Sequence, residues 1–195
     1  MVVGYHLIWT IYGSWLPNDP RGSTSHEIRC AEIVGLGDLH YGRKRVQPAG
    51  ENIRKFYEAA RTILKHELLK FSSDEVGRLG AEFAKVVQQR GYTCYACAIM
   101  PDHVHLLIRK HRDKAEQMIA SFQDSSRDEL IANGIRPAGH PVWGGPGWKV
   151  YLESREDFQR VAKYIEENTV KARLPRQYWD FVTPYDGWLP GLARR

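Results

Sequence analysis

Apolar positions recur along this chain in two periods. Residues 5 to 12 (YHLIWTIY) are aromatic and β-branched and too short for a helix to be preferred, and Gly13, Pro17, Asn18, Asp19, Pro20 and Gly22 follow them. The pattern predicts a strand running into a loop. From Gly13 to about Gly50 glycine, proline and charge appear without sustained periodicity, an unusually long loop unless it folds over something functional. A helical period then places Ile53, Phe56, Tyr57, Ala60, Ile63 and Leu64 on one stripe. Ser72 and Glu75 form a capping box for a second helix with Val76, Leu79, Phe83 and Val86 inside, ended by Gly91. Residues 92 to 109 read as two strands joined as a hairpin at Pro101 and Asp102, neither of which suits a strand interior. A helix of about 112 to 132 bears Ala115, Met118, Ile119, Phe122, Leu130 and Ile131 and stops at Asn133 and Gly134. Residues 148 to 152 form a short strand, and Ser154 with Asp157 opens a last helix carrying Phe158, Val161, Ala162 and Ile165. The tail from Leu174 is aromatic, with Tyr178, Trp179, Phe181, Tyr185 and Trp188.

Setting the insert aside, the order is β-α-β-β-α-β plus a helix, the ferredoxin-like α+β order for a four-stranded antiparallel sheet. The expected arrangement has helices on one face and the C-terminal helix, with its tyrosine, on the other. It is a single domain over 1–195, with an insert at 13–71 and a C-terminal helix and tail at 154–195.

Composition narrows the class. At 195 residues, with 43% hydrophobic positions and a mean hydropathy of −0.49, the chain can bury an ordinary soluble core, which excludes a disordered one. No apolar run approaches the roughly 20 residues needed to cross a bilayer, and the opening MVVGYHLIWT is too short and polar-flanked for a secretory leader, so a cytoplasmic protein without a membrane partner is expected. The three cysteines, Cys30, Cys94 and Cys97, are too few for a disulfide scaffold and fit a reducing compartment. A pI near 9.1 with six Trp and ten Tyr suits a polyanionic partner with bases to stack, although many basic proteins bind nothing acidic.

The sharpest chemical feature is His103-Val104-His105 within a strand. Alternation puts both imidazoles on one face while Val104, Leu106 and Ile108 point to the other, so the pair can chelate one ion without disturbing the core. The same residues read equally well as partly buried histidines hydrogen-bonded to neighbours. Tyr164 and Asn168, four apart on the last helix, share a face, where Asn168 can lend its carbonyl oxygen to a cation and Tyr164 a phenol beside it. Taken alone, they read as an amphipathic residue at the core edge and helix-end punctuation. His6, on the first strand, is a candidate supporting group behind the site or a structural histidine. Cys94 and Cys97, three apart in a strand, are expected on opposite faces, as buried thiols. Arg43, Lys44 and Arg45, with Arg109, Lys110, His111 and Arg112, form charge runs suited to phosphates or merely solvated. Trp15, Trp143, Trp148 and Trp179 could stack bases or pack in the core.

The segment MPDHVHLLI, preceded by an amphipathic helix and a strand and followed by Trp143 and YLESREDFQRVAKYIEEN, resembles the REP-associated tyrosine transposases, a branch of the single-tyrosine HUH transposases. YGSWLPNDPRGS also resembles a subgroup of them. The resemblance covers residues 5 to 12, about 73 to 110 and 143 to 182, and leaves 24 to 71 unaccounted for. It implies His103, His105 and Asn168 as ligands of a divalent ion, Mg²⁺ or Mn²⁺, and Tyr164 as the nucleophile that cleaves single-stranded or hairpin DNA and becomes joined to its 5′ phosphate. Arg43, Lys44, Arg45, Arg109, Lys110, Arg112, Lys163 and Lys171, with Trp15 and Trp143, are the candidate DNA contacts. One departure is Thr169, where the family often has Pro, which bears on where the helix ends. Dimers that exchange the tyrosine helix and monomers both occur among such proteins, and the sequence does not choose between a homodimer and a monomer.

Two other classes compete. A domesticated relative would bind a DNA hairpin or structured RNA without cutting it, since binding needs only the basic and aromatic surface. A small-molecule metalloenzyme would add a third histidine, such as His6 or His140, to His103 and His105.

Overall fold

A computed structural model of the chain describes residues 1–190; residues 191–195, the end of the tail expected over 154–195, lie outside the described residues. The chain divides into two compact units, Met1–Thr10 with Lys70–Arg195, and Ile11–Leu69, so the expected insert is a folded unit in its own right.

The larger unit is built on four antiparallel strands, β1 (Gly4–Thr10), β2 (Cys94–Ile99), β3 (His103–Arg109) and β4 (Trp148–Leu152), in the order β2-β3-β1-β4. This is the ferredoxin-like order expected from the sequence. Helices α2 (Ser73–Arg90) and α3 (Ala115–Ala132) cover one face, and α4 (Arg155–Lys171) covers the other. The α1 helix (Gly50–Ile63) belongs to the smaller unit.

Strand alternation sorts the core into two layers. Trp9, on the α2/α3 face, is 1% exposed and meets Phe122, Phe83 and Trp143 at centroid distances of 6.1, 5.8 and 5.9 Å. Burying one such aromatic contributes roughly 1.5–3 kcal/mol, so this cluster anchors both helices. On the other face Leu107, Ala96 and Ala98 pack with Phe158, Val161 and Ile165 of α4. The α2 helix begins with the expected capping box: Glu75 N–H donates to Ser72 Oγ and Ser72 N–H to the Glu75 carboxylate. It ends at Gly91 in the left-handed region, φ 69°. At the start of α4, Ser154 and Asp157 make only half of a capping box: Asp157 N–H donates to Ser154 Oγ, while the Asp157 carboxylate accepts from the Glu153 N–H. With Thr169 in place of proline, α4 continues to Lys171 and buries the threonine.

Strand β2 departs from simple alternation. A bulge between Cys94 and Ala96 sets Cys94 opposite Ile108 and Cys97 opposite Leu106, so both thiols lie on the α2/α3 face instead of opposite ones. Both are buried and free, and burial pushes Cys94 up to about 12 and Cys97 well above its ordinary value. The outer edge of β2 is covered by the tail. The Gln177 side chain donates to the Ile99 carbonyl at 2.7 Å and accepts from the Ile99 N–H at 2.9 Å, and Thr183 N–H donates to the Cys94 carbonyl. Gly80 makes room for Trp179: a Cβ there would lie 2.0 Å from the indole.

The smaller unit corrects the expectation of an irregular loop from Gly13 to Gly50. It contains a 3-10 helix, Ala31–Leu36, and closes around Asp19, which is fully buried. Asp19 accepts from Arg21 Nε at 3.0 Å and Nη2 at 2.7 Å, and from the Tyr57 hydroxyl. That hydroxyl in turn accepts from Arg21 and from the Trp15 N–H, and the Arg21 guanidinium lies 3.8 Å from the Trp15 ring centre. Asn18 donates to the Ile33 carbonyl and ties in the 3-10 helix. Polar pairs joining residues far apart in sequence organise the part of this unit before α1, which is why no hydrophobic period announces that part.

Candidate active site

The site is built where β3 and β1 run side by side beneath α4. Pro101 and Asp102 turn the chain out of β2, the Met100 N–H closes the turn on the His103 carbonyl at 2.7 Å, and β3 opens with His103. Val104, Leu106 and Ile108 are fully buried on the α2/α3 face, which commits the two histidines to the other. Pairing in β1 sets Thr10 opposite His103 and Ile8 opposite His105, with His6 next along the same face.

The imidazoles form one cluster. The rings of His103 and His105 are 4.9 Å apart and perpendicular, and His6 lies 5.1 Å from His105. His6 Nε2 and His105 Nδ1 are hydrogen-bonded at 2.9 Å, and His103 Nδ1 is bonded to Asp102 Oδ1 at 2.6 Å. Burial pushes His6 down to about 4, and burial with its two imidazole neighbours holds His105 well below the ordinary value, so both are neutral at pH 7.

The α4 helix brings the phenol to them. Phe158, Val161 and Ile165 fasten one side of the helix to the sheet, and Tyr164, next to Ile165, is 43% exposed with its ring 5.5 Å from His105 and 6.0 Å from His6, edge-on to both. Asn168, one turn on, donates its amide N–H to the Tyr164 carbonyl at 3.1 Å, which leaves Oδ1 able to accept a further contact. Two imidazoles and an amide oxygen suit a divalent cation that keeps open positions for water or phosphate. Among the described residues no group of three His, Cys, Asp or Glu side chains is disposed to hold an ion. His6 is committed through Nε2 to His105, and the His140 Nδ1 accepts from Val142 N–H, so the three-histidine centre of the small-molecule reading is not formed.

The candidate DNA contacts divide. Arg43, Lys44, Arg45, Lys110 and Arg112 are exposed. Lys163 and Lys171 flank Glu167 on α4, with the Lys171 ammonium 5.7 Å from the Tyr164 ring centre. Arg109 lies over the Trp188 ring at 3.4 Å and so serves the tail. Trp15 is half-buried beneath Arg21. Trp143 is a correction: it is 6% exposed, donates its indole N–H to the Gln123 carbonyl and packs edge-on to Trp9 and Phe71, with no face left for a base. Asp102 was legible only as a turn residue; its position beside a histidine was the available signal.

No family model and no curated protein matches the chain. Among solved structures it is similar to a REP-associated tyrosine transposase bound to a REP hairpin, at 10% identity and a TM-score of 0.46, over 87% of this chain and 68% of that one. It is also similar to a protein of Deinococcus radiodurans R1 assigned as a transposase, at 15% identity and a TM-score of 0.39, over 86% of this chain and 91% of that one. Both neighbours are transposases of low sequence identity to this chain, and the chemistry of the site rests on its own residues.

Proposed function

We propose that this chain cleaves and rejoins single-stranded or hairpin DNA through a 5′-phosphotyrosine at Tyr164, with a divalent cation, Mg²⁺ or Mn²⁺, held by His103, His105 and Asn168. The observation that carries the reading is the meeting of Tyr164 with the His105 and His6 rings on one face of the sheet. The HUH-like sequence pattern supports it independently. When bound, such a cation polarises the scissile phosphate and offsets the charge that builds on it.

The chain's own residues supply the rest. Tyr164, partly exposed at the edge of α4, presents its oxygen to a phosphodiester laid across the site. As the Tyr164 oxygen–phosphorus bond forms, the bond from phosphorus to the 3′ oxygen breaks; the phenol gives up one proton to solvent and the 3′ oxygen leaves as a hydroxyl, taking one back. Energy is retained in the phosphotyrosine, so a second 3′ hydroxyl can reverse the attack without a nucleoside triphosphate. His6 and His105, neutral through burial, leave the general acid role to solvent or another group. Tyr164 meets the histidines of its own chain.

The test is a covalent adduct. Wild-type protein with hairpin-bearing single-stranded oligonucleotides and Mn²⁺ should give a species that survives a denaturing gel, and Tyr164→Phe should bind the same DNA and give none. Wild type that binds the hairpin and never forms the adduct would leave the non-cleaving reading in its place.

A further inference from the structure

The two imidazoles of β3 share a feature that their spacing does not require. Each has Nδ1 engaged by a residue outside the His-Val-His triplet, His103 by Asp102 at 2.6 Å and His105 by His6 at 2.9 Å. Among the described residues neither Nε2 has a hydrogen-bond partner. A carboxylate can only accept, so the Asp102 contact places the proton of a neutral His103 on Nδ1. The His6 contact is ambiguous by itself, since either ring can donate. His6 is 6% exposed and His105 5% exposed, so neither ring can readily exchange this contact for one with water.

We propose that Asp102 and His6 are positioning residues that hold His103 and His105 in the Nδ1–H tautomer, which leaves the Nε2 lone pair of each for a metal ion. His6 then accepts through Nε2 and carries its own proton on Nδ1. The assignment takes its purpose from the cation site proposed above, but the tautomers exist without the cation and can be read without it. Orienting partners of this kind change metal affinity by roughly 10- to 100-fold in known sites.

The experiment uses the full chain, free of metal and labelled with ¹⁵N in histidine, and reads the ring nitrogens by long-range ¹H–¹⁵N correlation at pH 7.5. Wild type should show protonated Nδ1 and bare Nε2 in both His103 and His105. Asp102→Ala should redistribute the His103 tautomers alone, and His6→Phe those of His105 alone. Asp102→Asn and His6→Gln, which keep an acceptor oxygen, should restore the wild-type pattern and so separate loss of the acceptor from loss of packing. In parallel, Mn²⁺ titration followed by electron paramagnetic resonance should show affinity about 10-fold or more weaker in the first pair and near wild type in the second. An Nε2–H form in the wild type, or tautomers indifferent to both substitutions, would overturn the assignment. Wild type that keeps the Nδ1–H tautomers and binds no Mn²⁺ would overturn the cation site and leave the tautomer assignment standing.

Discussion

Tyr164 stands edge-on to His105, ring centres 5.5 Å apart and planes at 87°, although one belongs to the last helix and the other to an inner strand. The contact depends on two separate commitments of apolar residues. Val104, Leu106 and Ile108 turn His105 to one face of the sheet, and Phe158, Val161 and Ile165 seat α4 on that same face.

Removing the ring at His105 should therefore separate chemistry from folding. His105→Ala is expected to lose cleavage and Mn²⁺ binding and to lower stability by about 1–3 kcal/mol, the cost of emptying a buried position while the opposite face keeps its packing. Urea unfolding with unchanged cooperativity, together with an adduct assay, checks both halves.

Acid should weaken the fold through the same cluster. His6 is lowered from 6.5 to about 4 by burial, and His105 is also lowered. The unfolded chain therefore takes up these protons first. The contribution is whole above pH 6.5 and is lost as pH falls toward 4, on the order of 3 kcal/mol for His6. His6→Gln, which cannot titrate, should lose less stability than wild type between pH 7 and pH 4.5 in paired urea titrations.

The exposed basic run of the smaller unit gives a salt-dependent expectation. Replacing Arg43, Lys44 and Arg45 by Ala should weaken binding to single-stranded DNA and lower the slope of log affinity against log salt by about 2, since each phosphate contact contributes roughly 0.7. Stability should change little, because the three side chains are exposed. An unaltered slope would return them to a solvated face.

Asp19 makes the opposite case. With Asp19→Ala, Arg21 and Tyr57 lose their buried acceptor, and breaking such a pair costs about 3–5 kcal/mol. Limited proteolysis should then cut within 11–69 well before it cuts the β2-β3 hairpin; equal resistance to wild type would mean that Asp19 is not what holds this unit together.

What could be read in the sequence follows from the range of the interactions. The alternation around His103 and His105, the Ser72–Glu75 box and the Gly91 stop are local, and each is found as expected. The bulge that brings Cys94 and Cys97 to one face, the Asp19–Tyr57 bond and the pairing of Gln177 with Ile99 join residues through space, and no period in the chain records them. Asp102 lies between these cases: turn chemistry explained its presence, and only the folded hairpin shows it bonded to a histidine.

The two margins of the sheet are finished differently. Gln177 and Thr183 occupy backbone groups of Ile99 and Cys94 at the two ends of β2, while β4 has no second neighbour among the described residues and leaves Trp148 39%, Val150 39% and Tyr151 52% exposed. A sheet with a single free margin can be extended only once: two copies joined through it would each have used their one opening, and the assembly would close as a pair where a sheet open on both sides would grow into a fibre.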